Sequence, residues 1–179
     1  IGGYTYTAGP LPYKYKGLGS ILVFFLMGPL MVWPAWFIQT GQYSWLPVFV
    51  SMPVGFLVAA ILNGNDVRDI GHDKNAGIMT LAIGLGVDRG LRLHRLLYLG
   101  SFISLFMLVA LGSLPTLCLL PFVLLPLCRK TLQALKDAEA GMQERLLQLE
   151  AMAAGFHFQF GLLLTAGLIL QPFLSGKGF

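Results

Sequence analysis

The polar residues of this chain are confined to the gaps between long apolar runs. Five runs reach or approach the ~20 mostly apolar residues that a helix needs to cross a hydrocarbon core. They extend from about Ser20 to Gln39, Trp45 to Leu62, Leu96 to Leu111, Thr116 to Leu127 and Ala151 to Leu170. Pro29 and Pro34 lie inside the first, which a spanning helix tolerates where neighbours satisfy the freed carbonyls. The fourth run is short, so Ser113, Leu114 and Pro115 are expected to lie partly in the membrane as well. Trp33, Trp36, Tyr43 and Trp45 gather toward the link between the first two runs, where an interfacial aromatic belt belongs. This pattern predicts an all-α fold, a polytopic transmembrane helix bundle.

Composition agrees. Of 179 residues, 56% are hydrophobic and 11% charged, against about 25% charged in an ordinary soluble domain. Too little polar surface remains to face water on all sides. The same balance excludes a disordered chain, a disulfide-stapled mini-protein and a nucleic-acid binder. The formal charge of +4 sits in the links between apolar runs, so it does not imply an anionic polymer as partner. Cys118 and Cys128 lie in apolar sequence and match no metal or redox spacing. The 22 glycines are scattered through the spans, where small residues let helices approach closely.

Charge placement predicts an orientation. If the spans alternate and the first segment is cytoplasmic, eleven of the twelve Lys and Arg residues fall on the inside and only Lys177 outside, a strong positive-inside bias. The segment from Asn63 to Arg95 is then cytoplasmic, and it carries the chemistry. Between Ile1 and Lys136 the only acidic residues are Asp66, Asp69, Asp73 and Asp88. Three of them fall within Asn65-Asp66-Val67-Arg68-Asp69-Ile70-Gly71-His72-Asp73-Lys74, directly after the second span. If that helix continues, Asp66, Asp69 and Asp73 share one face at i, i+3 and i+7, with Asn65 at its border. Carboxylates so close repel one another, and a divalent cation relieves the conflict. Mg²⁺ suits hard oxygen donors and binds through one or two carboxylates plus substrate phosphates. Arg68 and Lys74, interleaved with the aspartates, suit phosphate oxygens. The plainer alternative is a solvated loop in which these Asp and Arg residues pair with one another.

The stretch from Asn65 to Gly77, followed by Thr80-Leu81 and Leu85-Gly86, resembles the second aspartate-rich motif of the UbiA prenyltransferase superfamily. It is most similar to the 1,4-dihydroxy-2-naphthoate polyprenyltransferases of menaquinone synthesis. The segment from Tyr6 to Gly19 (YTAGPLPYKYKGLG) is similar to the one before that family's fifth helix, and Phe160-Gly161-Leu162-Leu163-Leu164 resembles its final helix. The resemblance implies nine spanning helices around a central cavity. Residues 1–179 would be a partial membrane domain of this type, helices five to nine, without the first four helices and the first aspartate-rich motif. The start at Ile1, without an initiator Met, fits that expectation. The implied activity is transfer of a polyprenyl chain from its diphosphate to an aromatic acceptor, with Mg²⁺ as cofactor, in a bacterial or archaeal cell membrane. Asp69, Asp73 and Arg68 would be catalytic. Asp66, Asp69 and Asp73 would hold the metal. Arg68, Lys74, Lys14, Lys16 and Asn65 would bind substrate, although Lys14 and Lys16 equally suit positive-inside anchors. The sequence departs from the family at Ile78 and Met79, where a basic residue is common, at Ser20, often acidic, and at Asp66, often Asn.

Other polar residues have plainer readings. His72 is expected to be solvated and His94, among Arg89, Arg92 and Arg95, to be interfacial. His157 and Gln159 are expected to make packing hydrogen bonds to another helix. Tyr4, Tyr6, Tyr13 and Tyr15 suit interfacial anchors or an acceptor site. The link from Arg129 to Glu150 carries a partial leucine stripe, and Gly141 would divide it into two short helices at the membrane surface. Two other classes fit less well. A phosphatidyl-type transferase needs an Asp-Gly and Ala-Arg arrangement that Asn63-Gly64-Asn65-Asp66 does not supply. A transporter or structural subunit would place its functional charges within the spans, whereas these lie at their ends.

Overall fold

A computed structural model describes residues 4, 16–140 and 143–174. Lys14, Tyr6, Tyr13 and Tyr15 lie outside the described residues. All the named elements are helical. Among the described residues, five helical stretches are long and apolar enough to cross a membrane: Gly19–Thr40, Leu46–Arg68, Val87–Ala110, Thr116–Ala138 and Glu144–Phe173.

The first stretch is two helices, α1 (Gly19–Met27) and α2 (Pro29–Thr40). Pro29 stands at the first turn of α2, where its missing N–H costs nothing. The second is α3 (Leu46–Arg68), followed by the short α4 (Ile70–Asn75) and α5 (Leu81–Leu85). The third, α6 (Val87–Ala110), begins well before the expected Leu96. Its early turns carry arginines on one side, but Leu91, His94, Tyr98, Phe102, Leu105 and Leu108 form a buried stripe at helical spacing. Mean apolarity concealed that stripe, and periodicity reveals it.

The fourth stretch also differs from expectation. Thr116–Leu124 is a 3-10 helix leading into α7 (Leu125–Glu139). Pro121 lies inside the 3-10 segment and Pro126 in the first turn of α7. A proline cannot donate an i→i−4 bond, and short 3-10 pieces are common where that ladder is interrupted. The link expected to start at Arg129 as surface helices is therefore, in its first half, a continuation of the fourth stretch. α8 (Gln143–Leu146) and α9 (Leu149–Leu174) are the last described elements.

Helix α3 is central, packing against α1, α2, α6 and α9. The main core holds Leu57 of α3, Tyr98, Phe102 and Leu105 of α6, Cys118 of the 3-10 segment, and Phe156 and Phe160 of α9. Tyr98 and Phe156 rings meet at 4.9 Å, and Phe102 and Phe160 at 5.8 Å. A second cluster of Val67, Ala82, Leu91, Leu135, Ala138 and Leu149 ties down the end of the bundle where the aspartates lie.

Candidate functional site

The aspartate segment sits where α3 passes into α4. The helix is interrupted at Asp69, whose backbone (φ −96°, ψ 10°) separates the two. Hydrogen bonds from Asp69 N to Asn65 O and from Asp73 N to Asp69 O, at 3.0 and 2.8 Å, bridge the interruption. Helical winding therefore carries through the motif with one irregular residue. After α4, Gly77 (φ +70°) reverses the chain, and the Thr80 hydroxyl accepts from Ile83 N to cap α5.

The three aspartates are not equivalent. Asp66 is buried, 5% exposed. Asp73 is half-buried, whereas Lys74 and His72 are exposed, His72 as expected. Asp69 is engaged by its neighbour: Arg68 Nε donates to Oδ1 at 2.7 Å and Nη2 to Oδ2 at 2.8 Å, a planar fork on a carboxylate. That bond holds the Asp69 carboxyl below the usual carboxylate range, against a smaller opposing effect of partial burial. Among the described residues, no three His, Cys, Asp or Glu side chains converge closely enough to hold a metal by themselves.

Glu150 was not expected here. At the start of α9, its Oε2 accepts from Arg68 Nη1 and, at 3.3 Å, from Asn65 Nδ2. The approach depends on Gly64: a Cβ there would lie 3.2 Å from Glu150 N and 3.3 Å from Leu149 C. The only sequence signal for Glu150 is an acidic residue opening an apolar run, and its partner lies 82 positions away. Lys16 is exposed and pairs as an isolated bridge with Met79, with Gly17 N donating to Met79 O at 3.1 Å. The segment carrying it thus lies against the loop that follows the aspartates.

The structure corrects two further expectations. His94 is not interfacial but fully buried, its Nδ1 3.4 Å from Asn63 Nδ2. Gln159 makes no bond to another helix among the described residues. Its amide donates to Gly155 O of its own helix at 3.3 Å, and His157 Nδ1 has no hydrogen-bond partner there.

The bundle displays an Asp-Arg-Asp turn at one end, and the segment carrying Lys16 lies against the loop that follows it. The UbiA prenyltransferase family matches residues 1–170. This chain belongs to the UbiA prenyltransferase family. It is 33% identical over 167 residues to UbiA prenyltransferase domain-containing protein 1 of Dictyostelium discoideum, covering 93% of this chain and 48% of that protein. It is 32% identical over 172 residues to 1,4-dihydroxy-2-naphthoate octaprenyltransferase of Bacillus subtilis, covering 96% and 54%. The protein of that name from Escherichia coli is 38% identical over 116 residues, covering 64% and 38%. The chain spans about half the length of the first two. No solved structure matches it. Family membership and the five long apolar helices make this an integral membrane protein.

Proposed function

We propose that the turn joining α3 to α4 is one side of a Mg²⁺-diphosphate site, and that the whole protein transfers a polyprenyl group to 1,4-dihydroxy-2-naphthoate in menaquinone biosynthesis. The observation that supports this reading is the forked Arg68–Asp69 pair at the α3–α4 junction, with Asp73 one helical turn on, its backbone N donating to Asp69 O at 2.8 Å. In this reading residues 1–179 are part of a larger membrane domain, and further carboxylates come from the portion of the relatives that this chain does not span. The positive-inside bias puts the site on the cytoplasmic face.

The donor set fits Mg²⁺ as a partial shell. Asp69 and Asp73 would offer hard oxygens, and the buried Asp66 would join them only by leaving its present position. One or two carboxylates suffice when substrate phosphates complete the coordination. When bound, the ion would neutralise charge on the departing diphosphate. The chain's own residues do the rest. Arg68 holds phosphate oxygens with its planar fork, and Lys74 adds an exposed point charge. Glu150 keeps the guanidinium at the turn when Asp69 turns to the cation. Asn65, bonded to Glu150, borders the same site. Lys16 approaches from the segment preceding α1. The allylic C–O bond breaks with its electron pair on the diphosphate, and the electron-rich ring attacks the allylic carbon. With the naphthoate acceptor, the ring carboxylate leaves as carbon dioxide. Apolar helices shield the cation from water.

The test uses the full-length membrane protein with polyprenyl diphosphate and three acceptors in competition: the naphthoate, 4-hydroxybenzoate and homogentisate. The naphthoate is expected to be consumed first, and Asp69→Ala or Asp73→Ala to stop turnover. Preference for another acceptor would reject the naphthoate assignment. Undiminished turnover in both variants would reject the site. In this reading the 179-residue chain alone is inactive, and prenyl transfer by it would show that the site needs no further carboxylates.

A further inference from the structure

We propose that Arg68 competes with the divalent cation for the Asp69 carboxylate, so that the cation is held weakly until a diphosphate draws the guanidinium away. Granted Asp69 as a metal ligand, the reading on which this rests, Arg68 gains a second part in that site. One edge of its guanidinium is engaged by Asp69: Nε donates to Oδ1 at 2.7 Å and Nη2 to Oδ2 at 2.8 Å. The remaining nitrogen, Nη1, donates to Glu150 Oε2. Both Asp69 oxygens therefore already face a positive charge. Any ion that joins the same carboxylate sits close to the guanidinium and is repelled by it. The pair is a quarter to a third exposed, so water weakens this repulsion without removing it.

The edge of Arg68 that holds Asp69 is also the edge that suits phosphate. A guanidinium binds carboxylate and phosphate through the same planar pair of N–H groups, so Arg68 cannot hold both with it at once. Its two acceptors differ in how firmly they are placed. Glu150 follows Leu149, which is fully buried in the second core cluster, and Gly64 lets the backbone of both approach α3 closely. Asp69 stands at the irregular residue between α3 and α4. The asymmetry favours a pivot about Glu150: Nη1 keeps its bond while Nε and Nη2 pass from Asp69 to a phosphate. The carboxylate is then open to the cation, and the phosphate offsets both positive charges. Cation and diphosphate are thus coupled, and each strengthens the binding of the other by the same factor.

The test is Mn²⁺ binding to the full-length protein in phosphatidylcholine nanodiscs without diphosphate, read from the electron paramagnetic resonance signal of the free ion, with empty nanodiscs as the blank. Asp69→Ala is expected to weaken binding, as the loss of a ligand must. Arg68→Gln is expected to tighten it about fivefold. Arg68→Lys keeps the charge but loses the planar fork, and is expected to tighten it by a smaller factor. Lys74→Gln, which removes the exposed cation next to Asp73, is expected to have less effect than Arg68→Gln. Mn²⁺ held no more tightly by Arg68→Gln and Arg68→Lys than by the parent would overturn the competition and leave the metal reading standing. Tightening in Lys74→Gln as large as in Arg68→Gln would overturn it too, because net charge would then be the cause. Binding undiminished in Asp69→Ala would reject the metal reading, and the competition with it.

Discussion

Asn63 and Asn65 are two positions apart on α3, yet they belong to regions with opposite physics. Asn63 faces α6: its amide donates to Gly90 O at 3.0 Å and lies against His94, with both side chains 1% exposed or less. Asn65 faces α9 and bonds to Glu150, in a network with Arg68 and Asp69 that is a quarter to a third exposed. A helix turns about 100° per residue, so a step of two reverses the direction a side chain points. Buried polar groups that lose a partner keep the desolvation cost, so the first region locks the bundle. The second holds charged groups that water can screen, and these can exchange partners at small cost. In the proposed reading the buried region governs stability, and the charged turn governs chemistry.

Variants can separate the two. The largest effect is expected in the aromatic core: Phe156→Ala, against Tyr98 and Phe102, should cost about 3–5 kcal/mol in reversible unfolding from mixed micelles. Asp69→Ala should lower prenyl transfer by the full-length protein at least about a hundredfold, while its stability shifts by no more than about 1 kcal/mol. A comparable loss of stability in Asp69→Ala would erase the distinction between the regions. Gly167→Ala comes next. A Cβ there would run into the Leu117 carbonyl oxygen and lie 2.9 Å from Cys118 N, and forced repacking of this kind costs roughly 1–3 kcal/mol. A thermal melt unchanged from the parent would mean that α9 and the 3-10 segment are less tightly apposed.

The bundle was legible in the sequence because lipid-spanning helices announce themselves by length and apolarity. The five runs were found, but their ends were not. The early turns of α6 bury Leu91 and His94 among arginines, and the prolines around Thr116–Leu124 redirect the backbone without changing its hydropathy. The Asp-Arg-Asp motif was legible because charges in so apolar a chain are few. Glu150 was not, since its role comes from a contact across the bundle that Gly64 permits. His94 was misread because its linear neighbours are arginines, whereas its spatial neighbours are Asn63 and Tyr98.

Two smaller effects sharpen the comparison. Glu150→Gln removes the charge that holds Arg68 from α9, and is expected to raise the KM for polyprenyl diphosphate several-fold, about 1 kcal/mol, with less change in kcat. The reverse pattern would assign Glu150 to the chemical step. The smallest effect is in acid. Because Arg68 lowers the Asp69 pKa, the pair's stabilisation is complete above the unfolded carboxylate value of about 3.9. It fades as pH falls through the lower folded value. The stability difference between the parent and Asp69→Asn should therefore be constant near neutrality and shrink only in strong acid. A difference that shrank near pH 6 would exclude that mechanism.

The most direct test is the rate of prenyl-product formation by the full-length protein in nanodiscs as Mg²⁺ is titrated from chelator-depleted buffer. The account predicts no turnover without the ion, saturation as it is added, and loss of that response in Asp69→Ala and Asp73→Ala. Full turnover in chelator, unaltered by either substitution, would contradict it.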